Sequence, residues 1–127
     1  MPRLAYIAAP YGAPTPEGRA ENTRRAVALA ALSVAWGRAP ICVHPMIEAG
    51  AFGDDANPAD RALGLACCMA QVEAVARSGG EMWILLRGDR SMSDGCRAEV
   101  DAWERAGGTE ARIRRFLRDG DDFIEAP

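Results

Sequence analysis

The sequence predicts an α/β fold: a single domain, residues 1–127, on a doubly wound parallel sheet of four to five strands with helices on both faces. Short apolar runs such as RLAYIAA (3–9) and EMWILL (81–86) lack the polar alternation of a half-exposed strand, so they suit strands covered on both sides. These runs alternate with helical segments in the order β-α-β-α-β-α-β, and parallel strands need such crossovers. A length of 127 residues with 49% hydrophobic side chains is enough for one domain with one core.

The first strand, at 3–9, ends at Pro10 and Gly12, and APYGAPTPEG (9–18) is a loop rich in proline and glycine. An alanine-rich helix follows over 20–36, its polar residues in the first turn and Gly37 as its stop. APICVHP (39–45) is a second short strand halted by Pro45, and MIEAGAFGDDANPAD (46–60) is a turn-rich loop. Asn57 caps the next helix, Pro58 takes its first position and Asp60 its third. Ala62, Leu65, Ala66, Met69, Val72 and Ala76 form its apolar face, and SGG (78–80) ends it. EMWILLRG is the third strand and DRSMSDG the turn after it. Residues 94–105 form a helix closed by AGG (106–108). ARIRRF (111–116) alternates like a strand nearer an edge, and the acidic tail LRDGDDFIEAP is weakly patterned.

Composition excludes several functions. A net charge of −3 argues against a broad electrostatic grip on a nucleic acid polymer. All fifteen cationic side chains are arginine, so no lysine can form a Schiff base or anchor a phosphate, and arginine must serve any anion. The N-terminus does not read as a signal peptide, and no apolar stretch approaches the ~20 residues that span a bilayer. A cytoplasmic protein without a membrane partner is expected. Cys42, Cys67, Cys68 and Cys96 lack metal-type spacing and read as reduced, mostly buried thiols. His44 is the sole histidine, which rules out a histidine pair. No metal and no cofactor are expected, and nothing resembles a Walker loop, a G-x-G-x-x-G turn or a nucleophile elbow.

In open parallel sheets, ligands bind outside the carboxyl ends of the strands. The loops at 9–16, 44–57 and 87–95 fall on that edge. The densest of them carries SDGCRAE (93–99). Ser93 can cap the helix, and Gly95 leaves the backbone open to close approach. Free N–H groups at a helix start favour an anion such as phosphate. Glu99 lies four residues after Gly95, on the same face and about one turn deeper. Tyr6 inside the first strand, Pro10 and Tyr11 at its exit and His44 at the end of the second strand point to the same edge. For Tyr6 and His44 a purely structural role is the competing reading.

YIAAPYG, then HPMIE, then an apolar strand followed by S-x-G-x-x-x-E form an ordered set that resembles the nucleoside 2-deoxyribosyltransferase-like superfamily. The resemblance runs over roughly residues 4–107, and its sharpest element is Ser93, Gly95 and Glu99 after EMWILL. That superfamily, Rossmann-like in fold, includes deoxyribosyltransferases, nucleoside 5′-monophosphate N-glycosidases and many uncharacterised phage and bacterial members.

The resemblance implies that Glu99 attacks the anomeric carbon to give a covalent glycosyl-enzyme, and that Tyr6 orients it. Ser93, six residues before the nucleophile, is what the nucleotide hydrolases carry for the 5′-phosphate, and Asp94 beside it opposes a phosphate if it turns inward. The leaving base needs an acid. The family places an aspartate in the helix before the third strand; here Glu73 is nearest by spacing and Gln71 is its rival, with Asp94 as the other acid. Ser93, Gly95, Pro10, Tyr11 and His44 form the expected substrate wall.

The activity the resemblance implies is cleavage or transfer of the N-glycosidic bond of a nucleoside 5′-monophosphate through a covalent glycosyl-glutamate intermediate, with a small-molecule nucleotide or nucleoside as the expected partner. The alternative is a non-catalytic module that senses a nucleotide or an ADP-ribose-type ligand. The apolar helix AVALAALSVAW suits a partner subunit, so a homo-oligomer, dimer or higher, is expected.

Overall fold

The computed structural model describes residues 1–127 and places five strands in one sheet: β1 (Arg3–Ala8), β2 (Arg38–Ile41), β3 (Glu81–Leu85), β4 (Ile113–Asp119) and β5 (Asp122–Ala126). Their spatial order is β2-β1-β3-β4-β5. The first four run parallel, and β5 returns antiparallel to β4. The helices are α1 (Pro16–Ala35), α2 (His44–Glu48), α3 (Pro58–Arg77) and α4 (Asp94–Arg105), with a 3-10 turn at Glu110–Arg112.

Both sheet faces are covered, as the continuous apolar strands require. Alternate residues of β1 point to opposite sides. Ala5 and Ile7 join Trp83, Leu85 and Phe116 under Ala26, Leu29 and Ala30 of α1. Tyr6 and Ala8 join Met82, Ile84 and Ile113 under Val72 and Val75 of α3 and Val100 and Trp103 of α4. The chain is therefore a single α/β domain with helices on both faces of a mostly parallel sheet.

Several element boundaries differ from the sequence reading. Helix α1 begins at Pro16: the Thr15 hydroxyl accepts the Gly18 N–H at 3.0 Å and Pro16 takes the first turn, so TPEG is a cap and not a loop. Strand β2 stops at Ile41, and His44 is the first residue of α2 instead of the last of a strand. Pro40 is tolerated in β2 because that strand is an edge.

Helix α3 is capped as expected, with Asn57 Oδ1 accepting from Ala59 and Asp60; of the expected face Met69, Val72 and Ala76 pack against the core, where Cys68 and Val75 join them. Ala62 and Ala66 are exposed and Leu65 borders a cavity, so the first half of α3 lacks a covering layer. Strand β4 is interior, because the weakly patterned tail folds back onto it. The turn is Gly120-Asp121 between the paired Asp119 and Asp122, and Gly120 sits at φ 63, as the first position of a tight hairpin turn requires.

At the amino end of the sheet, Glu81 is buried among arginines. Its carboxylate accepts from Arg38 Nε at 2.8 Å and Nη2 at 3.1 Å, and from Trp83 Nε1 at 3.0 Å. Arg114 Nε lies 3.4 Å away and Arg3 Nη1 3.6 Å. Burial alone would raise this carboxyl, but the arginines and the indole outweigh it and hold it down at about 2.

Candidate active site

At the opposite end of the sheet, a cavity of about 230 Å³ opens over the carboxyl ends of β1 and β3. The chain leaves β1 toward β2 on one side and returns in β3 on the other, so this is the point where the winding reverses. Pro10, Tyr11, His44, Ser93, Asp94, Gly95 and Glu99 all line it. Tyr6 lies beneath it, fully buried.

Helix α4 supplies one wall. Ser93 is its N-cap, extended at φ −67, ψ 161, and its hydroxyl oxygen accepts the Cys96 N–H at 3.2 Å. The O–H of Ser93 is thereby left to donate elsewhere. The N–H groups of Asp94 and Gly95 precede the first intrahelical bond and are not taken by the cap. A Cβ added at Gly95 would meet nothing within 4 Å, so the space over this turn is open.

Glu99 lies one turn further along, 8% exposed, with no ion pair and no formed hydrogen bond. Burial pushes its carboxyl up to about 7, while the nearby Tyr6 hydroxyl works in the opposite direction. Tyr6 reaches this point because even-numbered positions of β1 face α3 and α4. Its hydroxyl is sealed and has no partner in hydrogen-bond geometry, although Glu99 and Cys68 are close enough to act on it. Burial first, then those two neighbours, drive the phenol far above its ordinary value, so it stays protonated. The same burial lifts the thiols of Cys68 and Cys96 to about 11.

The facing wall comes from the loop after β1 and from α2. Asn22 Nδ2 donates to the Tyr11 carbonyl at 2.8 Å and ties this loop to α1. His44 Nε2 lies 2.9 Å from the Ala9 carbonyl; a carbonyl only accepts, so the ring proton is on Nε2. Burial lowers the His44 pKa against the pull of the Ala9 and Pro10 carbonyls, and Nδ1 is left buried without a partner. His44 is thus a neutral clamp between two loops, with Tyr11 edge-on at 5.8 Å between centroids.

Glu73 does not line the cavity. It is on the outer side of α3, where its carboxylate pairs with Arg77 at 3.8 Å. Gln71 does not line it either, and its Oε1 is buried without a partner.

Four charged residues that the sequence reading passed over do line it: Asp55, Asp60, Arg61 and Arg87. Asp60 accepts the Asp54 N–H at 2.9 Å, and Arg61 pairs with Asp55 at 3.5 Å. Arg87 has no carboxylate within 4.0 Å. Asp55 and Arg87 lie in loops on the carboxyl edge, whereas Asp60 and Arg61 lie in the first turn of α3, where Asp60 reads only as part of the helix start. No group of three or more His, Cys, Asp and Glu side chains is arranged to hold a metal ion.

Sheet order and cavity define a small doubly wound α/β domain with a carboxylate-bearing pocket at its switch point. A family model described as a domain of unknown function (DUF7768) matches residues 3–115, and the chain belongs to that family. No curated protein and no solved structure matches it.

Proposed function

We propose that the protein cleaves the N-glycosidic bond of a nucleoside 5′-monophosphate through a covalent glycosyl-glutamate intermediate. The observation that carries the reading is Glu99: a carboxyl buried at the cavity, free of any ion pair, beside a protonated tyrosine and one turn below an open helix start. An unpaired buried carboxylate is costly to keep, and such groups concentrate where chemistry needs them. The sequence resemblance to the nucleoside 2-deoxyribosyltransferase-like superfamily assigns the same residue the same role.

In this mechanism the phosphate sits over the amino end of α4, taking the Ser93 O–H and the N–H groups of Asp94 and Gly95, with Arg87 as its counter-charge. A Glu99 oxygen attacks the anomeric carbon as the C–N bond breaks. The bonding pair leaves with the base, which gains a proton from a cavity acid. Asp94, Asp55 and Asp60 are the carboxyls in reach; Glu73 is not. Water then attacks the same carbon and passes a proton to the carboxylate that had protonated the base, the ester bond to Glu99 breaks with its electron pair returning to the carboxylate, and the sugar phosphate leaves. Tyr6 donates to Glu99 and holds the attacking oxygen in place.

Incubation with a panel of nucleoside 5′-monophosphates, read by free base, tests this. Base release is expected from the wild type and is lost in Glu99→Gln. The rate should rise with pH through about 7, because Glu99 must ionise to attack. Turnover by Glu99→Gln equal to wild type would sink the nucleophile assignment. The second reading is a binding-only module, favoured by one observation: Glu73, nearest by spacing to the family's acid, is outside the cavity. A thermal shift with nucleotide but no released base would select it.

A further inference from the structure

A second cavity, of about 560 Å³, opens at the same edge of the sheet but toward α1. Asn22 and Arg25 of α1 and Leu117 and Arg118 of β4 line it, and none of them borders the first cavity. Pro10, Gly12 and Arg87 belong to both walls. Its size is that of a small-molecule site.

Its electrostatics are one-sided. Arg25, Arg87 and Arg118 line it, and no carboxylate does. The nearest acid, Glu21, is divided among three guanidiniums. It lies 2.6 Å from Arg24, which does not line the cavity, 3.3 Å from Arg25 and 3.9 Å from Arg118. The Arg25 contact falls outside hydrogen-bond geometry, so Arg25 Nε is buried without a hydrogen-bond partner. Arg87 has no carboxylate within 4.0 Å, and the neighbouring Asp89 is turned to the Ser91 hydroxyl at 2.6 Å. Arg118 Nη2 donates to the Gly120 carbonyl at 2.9 Å, but one carboxylate shared among several guanidiniums leaves a net positive charge on this wall, and guanidinium donors match the oxygens of a phosphate group. Leu85, Leu86 and Leu117 give the cavity an apolar side for the rest of such a ligand.

We infer that this cavity is a second anion site that takes a phosphate-bearing small molecule, built on Arg25 and Arg118 and sharing only Arg87 among its cations with the cavity that holds Glu99. The test is titration of the full chain with inorganic pyrophosphate at low salt, followed by amide chemical shifts and by calorimetry. Saturable binding is expected, weakening as salt rises. The shifts should map to Asn22, Arg25, Leu117 and Arg118. Arg118→Gln and Arg25→Gln should each weaken binding about tenfold.

Ser93→Ala and Glu99→Gln should leave binding unchanged, which separates this site from the proposed catalysis: either can fail alone. No saturation up to about 10 mM pyrophosphate would overturn the inference. So would shifts confined to Ser93–Gly95, or binding lost in Ser93→Ala and kept in both arginine variants. If an arginine variant does not fold, the shift map of the wild-type chain decides.

Discussion

Replacing Glu99 by glutamine should make the protein more stable, by an amount that grows from about pH 4.5 and is complete above about 7. The carboxyl ordinarily titrates near 4.5 and burial lifts it to about 7 in the folded chain. Below about 4.5 it is protonated in both folded and unfolded states and costs nothing. As pH rises from there, the unfolded chain releases its proton first, so stability falls until the folded group ionises near 7. Above that the loss is constant.

Each pH unit of displacement is worth about 1.4 kcal/mol, so ionised Glu99 weakens the fold by on the order of 3 kcal/mol. Its side chain is too buried for solvent to screen much of this. Glutamine has nearly the same shape and no charge. Urea unfolding of both proteins should therefore show Glu99→Gln ahead by about 3 kcal/mol at pH 8, or roughly 10 °C in melting temperature, and by little at pH 5. A difference that is the same at both pH values would refute the argument, because the effect would then be packing and not the burial of charge.

Glu81→Gln should act with the opposite sign. Glu81 is held at about 2, so its ion pairs stabilise the fold above about 4.5 and are lost as pH falls toward 2. Its arginine partners are 21–51% exposed, and discounting for screening leaves a cost of about 2 kcal/mol at pH 7, shrinking at pH 3 in parallel urea titrations. Tyr6→Phe removes a hydroxyl that has no formed hydrogen bond, so stability should stay within about 1 kcal/mol, while base release drops about 10- to 100-fold if Tyr6 orients the nucleophile. Asn57→Ala deletes two cap hydrogen bonds at the start of α3 and should cost about 1 kcal/mol by urea unfolding.

The sheet could be read from the sequence because its central strands β1 and β3 are buried on both faces and α1, α3 and α4 each carry a stop signal. Helix α4 follows that reading residue for residue, and β3 starts where it was expected but ends three residues earlier, at Leu85. The tail could not be read so: β5 is largely exposed, with only Phe123 and Ala126 packed against the core, on opposite faces, and two such residues give no pattern that stands out. The α3 face was right in its second half, at Met69, Val72 and Ala76, and wrong in its first for a different reason. Helical periodicity finds an apolar stripe but not where the covering layer ends, and the first half of α3 runs past it.

In the site, residues adjacent in sequence to a turn were accessible to reasoning, as Ser93, Gly95 and Glu99 show. Asp55, Asp60, Arg61 and Arg87 were not, because charges in loops and at helix starts are common and only the tertiary fold selects those that face a cavity. Glu73 failed as an acid candidate on phase alone: counting back from β3 fixes distance along α3, not the direction of the side chain.

The two buried glutamates at opposite ends of one sheet show how burial separates structure from chemistry. Glu81 and Glu99 are similarly hidden, at 4% and 8% exposure. Glu81 is surrounded by arginines and an indole N–H, stays ionised throughout the physiological range, and joins β2, β3 and β4 at the base of the domain. It can neither accept a proton near neutral pH nor approach another molecule. Glu99 has an open cavity on one side, no cation, and a tyrosine that can only donate. Nothing in the fold gains from its charge; removing that charge should strengthen the domain. A residue whose ionised form the fold opposes, placed where a ligand can reach it, is better explained by what it does to that ligand than by what it does for the fold.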